Sequence, residues 1–272
     1  MKQSRDTAGL SGRKLKRLLH QLCERAQEDV QRLSAHEETA THQLRLRIKK
    51  MMALLRLAHA GIEKQTLQAM RKHLRTVKNA CAGNREHVVQ TRLIDKLTRR
   101  FHLAPKHRPQ LMGRALQAPP ASALHHQLYA VGQLIDSTCI QTLSEEQVLE
   151  AHARCYRKGR QLMKQAFETK DKRTLHRWRH RVKDLYFQTL VLSHLRGSRR
   201  RIKRARRLGH LLGRDQDLAN LAAEPAFAVR RNPWLPVINE HRDELRERYL
   251  SLGHKLYAPA GALFNDKIMH CA

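Results

Sequence analysis

An eight-residue pattern occurs twice in this chain, 134 positions apart. His42-Gln-Leu-Arg45-Leu-Arg47-Ile-Lys49 and His176-Arg-Trp-Arg179-His-Arg181-Val-Lys183 both read H-x-x-R-x-R-x-K. No other feature constrains the fold as strongly, because a match at this spacing implies that the chain repeats a helical plan in its two halves. Wound as an α-helix at about 100° per residue with the histidine at zero, Arg45, Lys49 and Arg56 fall at roughly 300–340°. Leu44, Ile48, Met51 and Leu55 fall at roughly 180–240°, and Trp178, Val182 and Leu185 follow suit in the second copy. Each helix therefore turns one stripe to a core and keeps a basic stripe on a separate face. From His42 to Arg56 the stripe is about 21 Å long, enough to follow several phosphates.

Periodicity elsewhere is also helical. Leu15, Leu18, Leu19, Leu22, Ala26, Val30 and Leu33 recur at three- and four-residue spacings and predict a helix over 15–33. Further helices are predicted over 39–60, 64–80 and 86–101, with short breaks at Gly61 and Gly83. Pro105, Pro109, Gly113, Pro119 and Pro120 interrupt the pattern and mark a linker. Helices resume over 123–142, and Ser144 and Gln147 have capping-box spacing for one reaching residue 168. Asp171 is placed to cap a helix running to about 195. One follows the basic run Arg199 to Arg207 and ends near Gly213, another covers 217–223, and a last one 237–257. Few β-branched or aromatic residues compete with this reading. The expectation is an all-α fold: a four-helix antiparallel bundle over 10–102, a linker over 103–122, and a second helical bundle over 123–258 that repeats the plan of the first.

With 54 Lys+Arg against 24 Asp+Glu, the chain carries a formal charge of +30. Self-repulsion of that size is normally offset by a polyanionic partner. No apolar run approaches the ~18–20 residues of a membrane span, and Met1 to Gly12 lack the apolar centre of a secretory leader. The cytoplasm is the default compartment. Cys23, Cys81, Cys139, Cys155 and Cys271 are odd in number and scattered, with no C-x-x-C. That suits a reducing environment, and all but Cys271 read as small core residues.

Several segments together resemble the CHAD domain, an α-helical family named for its histidines. Cys155-Tyr156-Arg157-Lys158-Gly159-Arg160 is similar to the family's Y-R-x-G-R helix, and Leu212-Gly213-Arg214-Asp215-Gln216-Asp217-Leu218 to its L-G-x-x-Q-D turn. Arg85-Glu86 with Val89 is a weaker likeness of its R-D-x-D-V element. The resemblance extends from about Leu10 to Tyr257. It implies two four-helix bundles related by a pseudo-twofold axis, a basic central groove or pore between them, and inorganic polyphosphate as ligand. The residues it assigns to binding are His42, Arg45, Lys49 and Lys50 in the first half, and Arg157, Arg160, His176, Arg179 and Lys183 in the second. Arg56, on the basic stripe, and Lys203 and Arg207, in the basic run, complete the candidate set. Met52 and Tyr186 stand where the family often has an arginine, and Asp184 where a basic residue is expected. No E-x-E-x-K signature of the catalytic domain found in some members is present, so the resemblance implies a stand-alone, non-catalytic module without cofactor or metal.

Three alternatives stay open. The run Arg199-Arg200-Arg201-Ile-Lys203-Arg204-Ala-Arg206-Arg207 would attract DNA or RNA, although aromatics make up only 4% of the chain. His176, His180 and Asp184 have a spacing that can converge on a metal ion in an enzyme. A scaffold tethered to polyphosphate granules would use the same basic faces.

Overall fold

The computed structural model describes residues 10–33, 38–81, 83–102, 120–169, 171–193, 197–227 and 232–258. Among the described residues there are nine α-helices and no strand. In chain order they are α1 (Gly12–Leu33), α2 (Glu38–Leu57), α3 (Lys64–Ala80), α4 (Gly83–Phe101), α5 (Ala121–Asp136), α6 (Glu145–Thr169), α7 (Lys172–Val191), α8 (Ser198–Ala222) and α9 (Trp234–Tyr257). Local chemistry accounts for several boundaries. Ser144 and Gln147 form the capping box at the head of α6, with reciprocal hydrogen bonds of 3.0 and 3.2 Å. The Asp171 carboxylate accepts from the amides of Arg173 and Thr174 at 2.9 and 2.8 Å and starts α7. Gly197, at φ 78°, supplies the left-handed residue before α8, a conformation that costs glycine little.

The apolar stripes form two cores. The first gathers Leu15, Leu19 and Val30 of α1, Leu44, Ile48 and Leu55 of α2, Met70 and Leu74 of α3, and Leu124, Leu128, Val131 and Ile135 of α5. The second gathers Leu162 of α6, Trp178, Val182 and Leu185 of α7, Leu208 and Leu212 of α8, Tyr249 of α9, and Ile94 and Leu97 of α4. Each fully buried leucine contributes about 1.5–3 kcal/mol. Two helices therefore sit in the other core from the one their place in the chain suggests. Expected in the first bundle, α4 packs on the second core, anchored by Arg100, whose guanidinium donates to Glu244 at 2.8 Å. The reverse holds for α5, which lies against α1 and α3. The packing reason is that the four-residue stripe of α5 completes the first core, while α4 brings Ile94 and Leu97, with the partly buried Leu93 and Phe101, to the second. Most of the expected linker lies outside the described residues.

Two smaller expectations are also corrected. The predicted break at Gly213 is absent, and α8 runs unbroken from Ser198 to Ala222, so the segment resembling a turn is helical. Cys23, Cys81 and Cys155 are buried, but Cys139 is exposed.

The cores meet where α2 packs on α7, the two helices that carry the repeated octapeptide. Gln188, fully buried, donates to the carbonyl of Ala53 at 3.0 Å, and its Oε1 lies 3.3 Å from Nδ1 of His152. Burial pushes the His152 imidazole down to about 4, so it joins this seam uncharged.

Candidate functional site

Beside that seam lies a cavity of about 400 Å³. Its walls are the basic faces of α2 and α7, closed by the C-terminal turn of α3 and by parts of α4 and α8. The first wall supplies Arg45, Lys49, Met52 and Arg56, and the second His176, Arg179, His180, Lys183, Asp184 and Phe187. Lys78 comes from α3, Val89 and Gln90 from α4, and Gln216, Asp217 and Asn220 from α8. Six Arg or Lys side chains thus face two carboxylates among the described lining residues. The three- and four-residue spacing within each octapeptide puts these cations on one helix face, and the α2–α7 packing sets the two faces around a single space.

A family model for the CHAD domain matches residues 13–224, a span that holds α2 to α8, all of α1 but Gly12, and every lining residue of the cavity. The chain belongs to the CHAD domain family. No curated protein and no solved structure gives a significant match to it.

Of the residues proposed from the sequence, Arg45, Lys49, Arg56, His176, Arg179 and Lys183 line the CHAD cavity. The others lie elsewhere. His42 is exposed on the first turns of α2. Lys50 is not among the lining residues, and burial, with the charges of Arg25 and Arg47, lowers its pKa. Arg157 and Arg160 are exposed on α6, away from the cavity, and Lys203 and Arg207 are exposed on α8. Arg85 and Glu86, of the weakest likeness, have side chains outside the described residues.

Arg45 has a second task. Its Nη1 donates to the carbonyls of Lys78 at 2.8 Å and Cys81 at 2.9 Å. These are end-of-helix acceptors of α3, where a cation also suits the helix dipole. On the facing wall Arg179 lies over Gly213. A Cβ added there would sit 3.3 Å from the Arg179 guanidinium, so the glycine that seemed to end a helix instead leaves room for an arginine.

Asp184 does not join the two histidines in a metal site. Its carboxylate accepts from Nε of Arg56 at 2.8 Å and from Arg181 at 3.2 Å. Desolvation raises its pKa, and Arg56 and Arg181 act against that rise. Among the described residues no group of three or more His, Cys, Asp or Glu side chains is arranged to hold a metal ion. The imidazoles of His176 and His180 instead meet each other, Nε2 to Nε2 at 2.8 Å. Both have lowered pKa values. Desolvation leads in each case, joined by the positive charges of Lys78, Arg179 and Lys183, and His180 falls to about 3. Both rings are therefore neutral near pH 7.

Lys78, Gln90, Gln216 and Asn220 escape a reading of the repeated motif because they come from three other helices, and no local spacing announces them. Gln216 and Asp217 lie inside the likeness to the L-G-x-x-Q-D element, and that was the one available signal.

Proposed function

We propose that the protein binds inorganic polyphosphate in this cavity without chemically altering it. The observation that carries the reading is the opposition of Arg45 and Lys49 on α2 to Arg179 and Lys183 on α7 across one space. A linear chain of phosphates carries negative oxygens on every side, so it meets donors from both walls at once. Arginine contributes planar bidentate donors and lysine a mobile point charge, and release of condensed counterions adds to the drive. Membership of the CHAD family supports the ligand, since some members bind polyphosphate. Location at polyphosphate granules would follow from this affinity. No described helix is long and apolar enough to cross a membrane.

The test is titration calorimetry with long-chain polyphosphate, orthophosphate and ATP at equal total phosphate, followed by competition with duplex DNA and RNA at physiological salt. Much tighter binding of the long chain, undisturbed by nucleic acid, is expected. Equal affinity for short and long anions, or displacement by DNA, would overturn the reading. Nucleic acid is the weaker alternative because the described lining holds no Tyr or Trp, its Phe187 is only 6% exposed, and the imidazoles of His176 and His180 are turned edge to face on each other, which leaves no broad ring on which bases could stack.

A further inference from the structure

The basic run of α8 divides into two faces. Arg201 stacks over the ring of Tyr156, 5.0 Å from its centroid, and Arg204 donates to the carbonyl of Lys255 at 2.7 Å. These two fasten α8 to α6 and α9. About half a turn away, at ~100° per residue, Arg199, Lys203, Arg206 and His210 fall in one line, and all four are exposed.

That line begins at the cavity. An added Cβ on Gly209 would lie 3.7 Å from Cγ of Lys183, so the lysine crosses from the cavity wall onto α8 at this level. His210 stands beside the crossing, its pKa lowered by desolvation and then by the charges of Arg206 and Lys183. From His210 the line continues toward the N-terminus of α8 for about 16 Å at ~1.5 Å per residue. Positions 198–214 of α8 contain no Asp or Glu, and Asp217, about two turns beyond His210 on the same line, belongs to the cavity lining.

We infer that a polyphosphate chain too long for the cavity leaves it over Lys183 and lies along Arg199, Lys203, Arg206 and His210, making this face of α8 the element that discriminates chain length. The inference rests on the proposed polyphosphate reading and assigns its extended subsite. The cavity holds a short segment, and a longer chain reaches Arg206, Lys203 and Arg199 in turn along α8, so affinity rises with length until the line is filled.

The experiment compares R199Q/K203Q/R206Q with the unaltered protein, using tripolyphosphate and long-chain polyphosphate as probes over a range of salt. All three side chains are exposed, and thermal unfolding checks that the fold is kept. Long-chain affinity should fall at least tenfold and the slope of log K against log salt flatten by about 2, while tripolyphosphate affinity stays within twofold. A matched variant, R13Q/K14Q/R17Q, removes three exposed cations from α1 and should leave both ligands within about threefold. Equal losses for the two lengths, equal losses in the two variants, or a loss confined to duplex DNA would overturn the inference. Absence of any polyphosphate binding by the unaltered protein would refute the parent reading itself, an outcome distinct from a loss of length dependence alone.

Discussion

Binding should draw a proton into the cavity, and the geometry of His176 and His180 limits the number to one. Their Nε2···Nε2 contact of 2.8 Å requires a proton on one nitrogen and a lone pair on the other. The neutral pair already meets that condition, and one further proton, added at the donor ring's Nδ1, preserves and strengthens the contact. A second proton would set two N–H groups against each other. In the empty cavity desolvation and the neighbouring cations hold both pKa values low. Phosphate oxygens entering among Lys78, Arg179 and Lys183 offset those cations and raise them. Between the empty-state and occupied-state pKa values, binding therefore takes up a proton and Kd falls as pH falls, by at most about tenfold per unit, or ~1.4 kcal/mol. Above the occupied-state pKa the dependence vanishes. Calorimetry in buffers of different ionisation enthalpy counts the protons directly. Uptake should rise as pH falls below neutrality, toward a limit of one, and fade on the alkaline side. Absence of uptake below neutrality, or undiminished uptake in H176Q/H180Q, would refute the reasoning.

Other perturbations separate binding from stability. Replacing Arg45 and Arg179 together by Gln removes two charge-assisted contacts of ~1.5–3 kcal/mol each, so calorimetry should show a loss of about 100-fold or more. R45Q alone should also lower unfolding stability in denaturant by about 1–2 kcal/mol, because the end of α3 loses its cap. D184N should lower the Tm of the empty protein by leaving Arg56 and Arg181 without their shared carboxylate. The same change should enlarge the Tm rise caused by polyphosphate, measured by scanning calorimetry, since a repelling charge has left the cavity. G159A would place a Cβ 2.3 Å from Oη of buried Tyr257 and should cost about 1–3 kcal/mol in denaturant titration, with polyphosphate affinity unchanged.

What the sequence made legible was whatever one helix determines by itself. The spacing within each octapeptide places Arg45 with Lys49, and Arg179 with Lys183, on one face before any tertiary contact exists, and these residues do line the cavity. The capping residues Ser144, Gln147 and Asp171 were legible for the same reason. Choices between helices were not. Both α4 and α5 are amphipathic, and nothing in either stripe states which core it will fill. Arg157 and Arg160 follow a motif, but the side of α6 they occupy depends on where that helix meets α7. Gly213 looked like a helix end because glycine has weak helical propensity, whereas its value lies in the space it leaves for Arg179.

The two walls of the cavity belong to different hydrophobic cores, α2 to the first and α7 to the second. The cores also share α6, whose Val148 and Leu149 lie in the first and Leu162 and Met163 in the second, and the Arg56–Asp184 ion pair spans them, but each is otherwise filled by helices of its own. A phosphate chain held by both walls is in effect a reversible cross-link between two folding units, and neither unit can come apart without letting go of it. Occupancy should therefore be recorded in the cooperativity of unfolding as well as in its midpoint, with a loaded molecule melting as a single body.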